Sequence, residues 1–261
     1  MKKHTRNVSL LKFRNPPVVE VACGVSFNSI QGLDIQSVIL LRDEFKKRFP
    51  TVEQHEILPV VIEEENTLRI DSSGIPRMWF ISNDNTRIIQ LQGNRFLLNW
   101  RRFPRTSNDP YPRFPGVYGD FSQLYTQFQQ FVRRRGLGSV EPVQYEMTYV
   151  NYVESVIGAD SAPALPDFAW RVGDQRYLPP PLAFDWQTSF LVPDVPGRMH
   201  VRIRPPADGE ADAAVLEITV RGRGGASKQS QDRWFNGAHE VAVLGFQDLT
   251  SEAIRQKWGQ E

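Results

Sequence analysis

The chain has 261 residues, 40% hydrophobic and 11% aromatic, enough for a packed core, so global disorder is excluded. A formal net charge of +1 excludes an electrostatic glove for nucleic acid made of the whole surface. One cysteine, Cys23, allows no intramolecular disulfide, and no stretch reaches the roughly 20 apolar residues of a membrane span.

Val18 to Phe27 reads as a strand entered through Pro16-Pro17. Asp34 is placed to cap a helix running to Phe49, with Val38, Leu41, Phe45 and Phe49 at helical spacing and Pro50 as its stop. Short strands follow: Arg77 to Ser82, then Arg87 to Gln92 after the turn at Asn83-Asp84-Asn85, then Arg95 to Phe103 across a two-residue turn at Gly93-Asn94. Residues 104–119 read as a long ordered loop, and Asp120 to Arg135 as a second helix ended by Gly136. Val143 to Glu154 is a strand. Beyond a proline-rich stretch come strands at Phe184 to Val192, Met199 to Arg204 and Ala214 to Arg221. A glycine-rich connection, Gly222 to Ser230, leads to a helix from about Asp232 to Leu244, and a short helix closes the chain at Ser251 to Trp258, capped by Thr250 or Ser251.

Hairpins outnumber helical crossovers. The expected class is therefore α+β, with largely antiparallel twisted sheets and helices packed on one face. Two halves are expected, 1–156 and 182–261, packed together across the connection 157–181. The second half echoes the first in element order, although no residue-level repeat joins them.

Several blocks occur in the order seen in one known group. They are Phe13-Arg14-Asn15-Pro16-Pro17-Val18-Val19-Glu20-Val21, Trp79-Phe80-Ile81-Ser82, Ile89-Gln90-Leu91-Gln92, and Arg95 through Arg101. Glu146-Met147-Thr148-Tyr149-Val150-Asn151 and Phe246-Gln247-Asp248-Leu249-Thr250-Ser251 up to Trp258 complete the set. Through these blocks the chain resembles a sporadically distributed bacterial protein family of unknown function, over nearly its whole length. The resemblance implies no activity and no catalytic residue; the family's patchy distribution implies a regulatory, antitoxin-like or defence-associated setting.

No familiar chemistry announces itself. His4, His55, His200 and His239 are scattered without paired ligand neighbours, so no metal and no cofactor are expected. Cys23 lies in an apolar strand, which raises a thiol pKa and favours an inert side chain. There is no Gly-x-Ser-x-Gly elbow. Arg221 to Lys228 looks like a phosphate-cradling turn but has neither the Walker nor the dinucleotide spacing, so a flexible connection is the simpler reading. Glu63-Glu64-Glu65 is most simply an exposed turn. Glu20, Glu146 and Glu217 interrupt apolar strands, and alternation points each toward solvent.

The hairpin at Gly93-Asn94 sorts its residues by face. Gln92 should oppose Arg95, Leu91 Phe96, Gln90 Leu97, and Ile89 Leu98, leaving Gln90, Gln92, Arg95, Asn99 and Arg101 away from the core. The same alternation puts Glu20, Glu146, Thr148 and Arg202 on polar faces of their strands. A bare polar sheet face built from these groups would suit recognition of a partner protein or a second copy of the chain. From Arg77 to Arg135 ten arginines face only Asp84, Asp109 and Asp120, and Tyr111, Phe114 and Tyr118 lie in the adjoining loop. Single-stranded nucleic acid is accordingly the alternative partner. An enzyme whose Glu20, Glu146 and His200 meet only in the fold is the third reading. The expected function is a non-enzymatic binding protein of the bacterial cytoplasm without membrane association, since Met1 to Arg14 lacks the apolar run of a signal peptide.

Overall fold

The computed structural model describes residues 10, 12–71, 73–154, 185–192, 195–207, 209–210 and 213–261. The proline-rich connection 157–181, and with it the expected boundary between halves, lies outside the described residues, as does His4.

The elements in chain order are β1 (Val18–Phe27), α1 (Ile35–Phe45), β2 (Thr51–His55), β3 (Val60–Ile62), β4 (Thr67–Arg69), β5 (Arg77–Ile81), β6 (Arg87–Gln92) and β7 (Arg95–Arg101). They continue with α2 (Arg113–Arg134), β8 (Pro142–Glu154), β9 (Trp186–Val192), β10 (Gly197–Arg204), β11 (Ala213–Arg223), α3 (Lys228–Leu249) and α4 (Glu252–Lys257). Asp34 caps α1 by accepting the Ser37 N–H at 2.8 Å. That helix ends at Phe45, and a further turn still delivers Phe49 to the core.

Both long helices begin earlier than their apolar runs first suggest. α2 starts at Arg113, within the stretch read as loop, because Phe114, Val117 and Phe121 extend the buried stripe through Gly116 and Gly119. Pro115 sits in the first turn, where a missing N–H costs nothing. α3 starts at Lys228, inside the supposed glycine-rich connection, with Ser227 as N-cap accepting the Ser230 N–H at 3.1 Å. Ser227→Ala should therefore cost about 1 kcal/mol in chemical denaturation, whereas Ser227→Gly should cost only a few tenths. Equal losses would show that the hydroxyl does not cap the helix.

One antiparallel sheet of nine strands runs β2-β5-β6-β7-β1-β8-β11-β10-β9, so strands from 1–156 and from 182–261 join in one sheet across the β8–β11 pair. Two units of like topology share the sheet, each with its first strand at the centre, its last strand beside it and a 22-residue helix after that: β1, β7 and α2 in one, β8, β11 and α3 in the other, so the second unit begins with β8, inside the stretch 1–156. The likeness of the two units is thus one of topology. The Gly93-Asn94 hairpin has the expected register, Gln92 opposite Arg95 through Ile89 opposite Leu98.

Pleating assigns one face to the core. A single row across the sheet reads Phe80, Ile89, Leu98, Cys23, Met147, Val220 and Met199, and these residues belong to one apolar cluster with the inner sides of the helices. α2 lies over β1 and β7, α3 over β8 and β11, and Phe45 of α1 packs on Phe80 of β5. Within this cluster Cys23 is fully buried, and burial pushes its thiol pKa far up, so it is inert as a nucleophile. No helix among the described residues is long and apolar enough to cross a membrane.

Candidate functional site

The face opposite the helices is not bare, contrary to expectation. The β2–β5 connection, carrying the β3–β4 hairpin, crosses over it and is pinned to polar side chains of the sheet. Gln92 donates to the Leu58 carbonyl at 2.9 Å, Gln144 donates to the Val61 carbonyl at 2.7 Å, and Gln144 Oε1 accepts the Glu63 N–H at 2.9 Å. Asp71 accepts the Gly93 N–H at 2.7 Å. The physical reason is simple: amides and guanidiniums sorted to one face are good partners for any backbone that crosses it, including the chain's own.

Glu63 is the centre of this attachment, which corrects its reading as an exposed turn. It is only 6% exposed, its carboxylate lying 3.1 Å from Arg198, 2.7 Å from His200 and 3.3 Å from Arg221. Glu64 and Glu65 point outward toward Arg223 and Arg69. Arg221 also pairs with Glu146, which Arg95 clamps from the other side. Burial alone would raise the Glu146 pKa, but Arg95 and then Arg221 outweigh it and hold it at about 2. Glu146 is therefore a buried, locked carboxylate and not a solvent-facing one.

The other proposed contact residues are engaged as well. Gln92 and Asn99 are buried, and Gln90 links the Trp79 indole N–H, at 3.1 Å, to Asn99, at 3.0 Å. Asn99 donates to Glu20 at 2.5 Å. Burial chiefly raises the Glu20 pKa, with the charge of Glu217 adding to it. Thr148 hydrogen-bonds Thr219 at 2.9 Å, and Arg101 donates to the Asn85 carbonyl at 2.9 Å while lying over Phe103. Arg202, exposed on β10, forms a two-pronged pair with Asp185 at 2.9 and 2.5 Å.

Much of the arginine-rich stretch is engaged by the chain itself, although Arg113, Arg133 and Arg135 form no ion pair with the described residues. Arg87 pairs with Asp120 at 2.9 Å, Arg134 with Glu44 at 2.5 Å, and Arg102 donates to the carbonyls of Ser107 and Asp109. The aromatic residues beside it turn inward: Tyr111 packs on Trp100, and Phe114 stacks on Tyr118 and His239. These rings are not a stacking platform for bases. Glu146 and His200 share one network only through Glu63 and Arg221, and Glu20 stands apart from it. His200 lies in the register row of Thr219, Thr148 and Ala22, three strands from β1 and so about 14 Å away at the usual strand spacing. The glycine-rich turn is also committed: the Gly224 N–H donates to Val143 at 3.0 Å and the Gly225 carbonyl accepts from Tyr145 at 2.5 Å.

A different site emerges on the helix side. Between the segment leading into β1, the first turn of α2 and the middle of α3 lies a cavity of about 640 Å³, within the range of small-molecule sites. Its walls are mainly apolar, with Phe13, Phe114, Ile218, Ala242 and Phe246 around it. The small side chain of Ala242 on α3 leaves the space that a larger residue would fill. Tyr111, Tyr149 and His239 supply polarity. Tyr149 Oη and His239 Nδ1 share a hydrogen bond of 2.8 Å, and burial lowers the His239 pKa to about 4, keeping the imidazole neutral near pH 7. Four buried side-chain polar atoms among the described residues lack a hydrogen bond of normal geometry, and only one of them, Tyr111 Oη, belongs to a residue lining this cavity. Burial pushes the Tyr111 and Tyr149 phenols far above their usual range, so both remain protonated.

Sequence reasoning missed this site, although part of its signal was present. Tyr149 falls on the core side of β8 by alternation, and His239 shares a helical face with Phe235, Ala242 and Phe246. What could not be read was that both meet Tyr111 and the segment before β1.

No family model, curated protein or solved structure matches the chain. The site stands on its own groups. Among the described residues no three His, Cys, Asp or Glu side chains are gathered to hold a metal ion.

Proposed function

We propose that this chain is a non-enzymatic binding protein of the bacterial cytoplasm whose ligand occupies the cavity between α2, α3 and the segment preceding β1. The observation that carries this reading is the apolar cavity of about 640 Å³ whose lining holds only a small polar cluster, the hydrogen-bonded Tyr149–His239 pair and the neighbouring Tyr111 hydroxyl. A few fixed polar groups in an otherwise apolar wall orient a ligand by hydrogen bonds while the wall supplies burial. A non-catalytic role fits the neutral, protonated state of the groups around the cavity: two phenols and a neutral imidazole supply hydrogen bonds and no strong nucleophile. The regulatory or defence-associated setting implied by the family resemblance belongs to the same proposal. The polar sheet face remains a secondary reading, narrowed to exposed groups such as Arg202 at the β9–β10 edge.

The neutral fluorophore N-phenyl-1-naphthylamine tests the cavity. It is expected to bind the full chain saturably at one site, and Ala242→Trp is expected to weaken binding at least tenfold while leaving the far-ultraviolet circular dichroism unchanged. Affinity that is the same in Ala242→Trp would remove the cavity as a ligand site.

A further inference from the structure

The mouth of the cavity differs from its walls. Lys12, Arg14 and Arg113 stand there against the single carboxylate side chain of Glu261. Arg14 is spent on Glu261 at 3.0 Å. Lys12 forms no ion pair with the described residues. Arg113 uses one guanidinium nitrogen on the Phe13 carbonyl at 2.9 Å, leaving most of its five N–H donors uncommitted. Its backbone also has a φ of +63°, in the left-handed region that a non-glycine residue enters only at a cost, so this arginine is held at the mouth against local preference. Two cations that form no ion pair with the described residues thus border an apolar hollow whose lining also holds the Tyr111 hydroxyl.

Building on the cavity reading, we propose that the ligand class is an amphipathic organic anion. Its apolar or aromatic body would lie against Phe114, Ala242 and Phe246, and its carboxylate, sulfonate or phosphate head would be held by Arg113 and Lys12. Each group faces chemistry that matches it. Charge-assisted hydrogen bonds from a guanidinium are the strong ones, and they strengthen where apolar walls exclude water. The neutral imidazole of His239 opposes no anion, and the Tyr111 hydroxyl can donate to the head without a change of protonation. A cationic or uncharged ligand would leave Lys12 and Arg113 unmatched.

Two probes of nearly identical body separate the head from the cavity: 1-anilinonaphthalene-8-sulfonate and the uncharged N-phenyl-1-naphthylamine. The sulfonate is expected to bind the full chain more tightly. Lys12→Gln and Arg113→Gln are each expected to lower the ratio of sulfonate to neutral-probe affinity about tenfold. Because the readout is a ratio, any general loosening of the pocket by either variant cancels. A ratio that stays constant in both variants overturns the anionic class while leaving the cavity intact as a site. Insensitivity of both probes to Ala242→Trp overturns the cavity itself.

Discussion

Glu146→Gln is expected to lower the unfolding free energy by about 3–5 kcal/mol at pH 7, measured by urea denaturation. The carboxylate sits between Arg95 and Arg221 on the face crossed by the β2–β5 connection, with its side chain 11% exposed. Removing its charge leaves two guanidiniums facing each other with one acid, Glu63, still attached to Arg221. The pH dependence carries a definite sign. The folded-state pKa of Glu146 is depressed to about 2 from an ordinary value of 4.5. Its contribution is therefore complete above the ordinary value and is lost as pH falls from there through the folded value. Wild-type stability should drop across that acid window more steeply than that of the Gln variant. Parallel curves would show that the Glu146 charge is not held by its arginines. By the same geometry Arg95→Ala strips a buried acid of a partner, so its first effect falls on the fold and not on capture of another molecule.

The second large effect is expected at Gly222. Gly222 on β11 lies opposite Gly197, where the chain enters β10, and a Cβ at Gly222 would penetrate the Pro196 carbonyl oxygen and crowd the Gly197 Cα. Both obstacles are backbone, so no rotamer change relieves them. Gly222→Ala should cost about 3 kcal/mol, seen as a large fall in Tm, because the β10–β11 pair would have to separate at the end that leads into α3. Gly224→Ala, two residues on, is the comparator. Its added Cβ would meet its nearest neighbours at 3.4 Å, so it should be nearly silent. Similar losses at both positions would mean that chain flexibility, and not close approach, explains the glycines. The glycine and arginine content that resembles a phosphate turn is thus accounted for by strand crossing and by the Arg221 network.

The local rules read well from sequence were those with a period. Strand pleating repeats every two residues, so the hairpin register at Gly93-Asn94 and the side taken by Cys23, Met147 and Val201 followed from the pattern alone. The buried helical stripes were equally legible. Their starts were not, because Pro115, Gly116 and Gly119 look like loop residues until Phe114 and Val117 are seen to share the stripe.

Side-chain alternation along each strand and the helical stripes already sort the residues that face the helices from those that face away, and hence give the antiparallel α+β class. What covers each face depends on contacts between segments far apart in the chain. A long connection has no periodicity to betray where it lies, so nothing local shows that residues 58–71 cross the polar face, or that Glu63 reaches Arg198 and Arg221 far along the chain. The cavity has the same origin: Lys12, Tyr111, Tyr149 and His239 come from four separate segments. Closing a space among them depends on how far two helices stand from one sheet, a quantity set by packing and not written in any single stretch of residues.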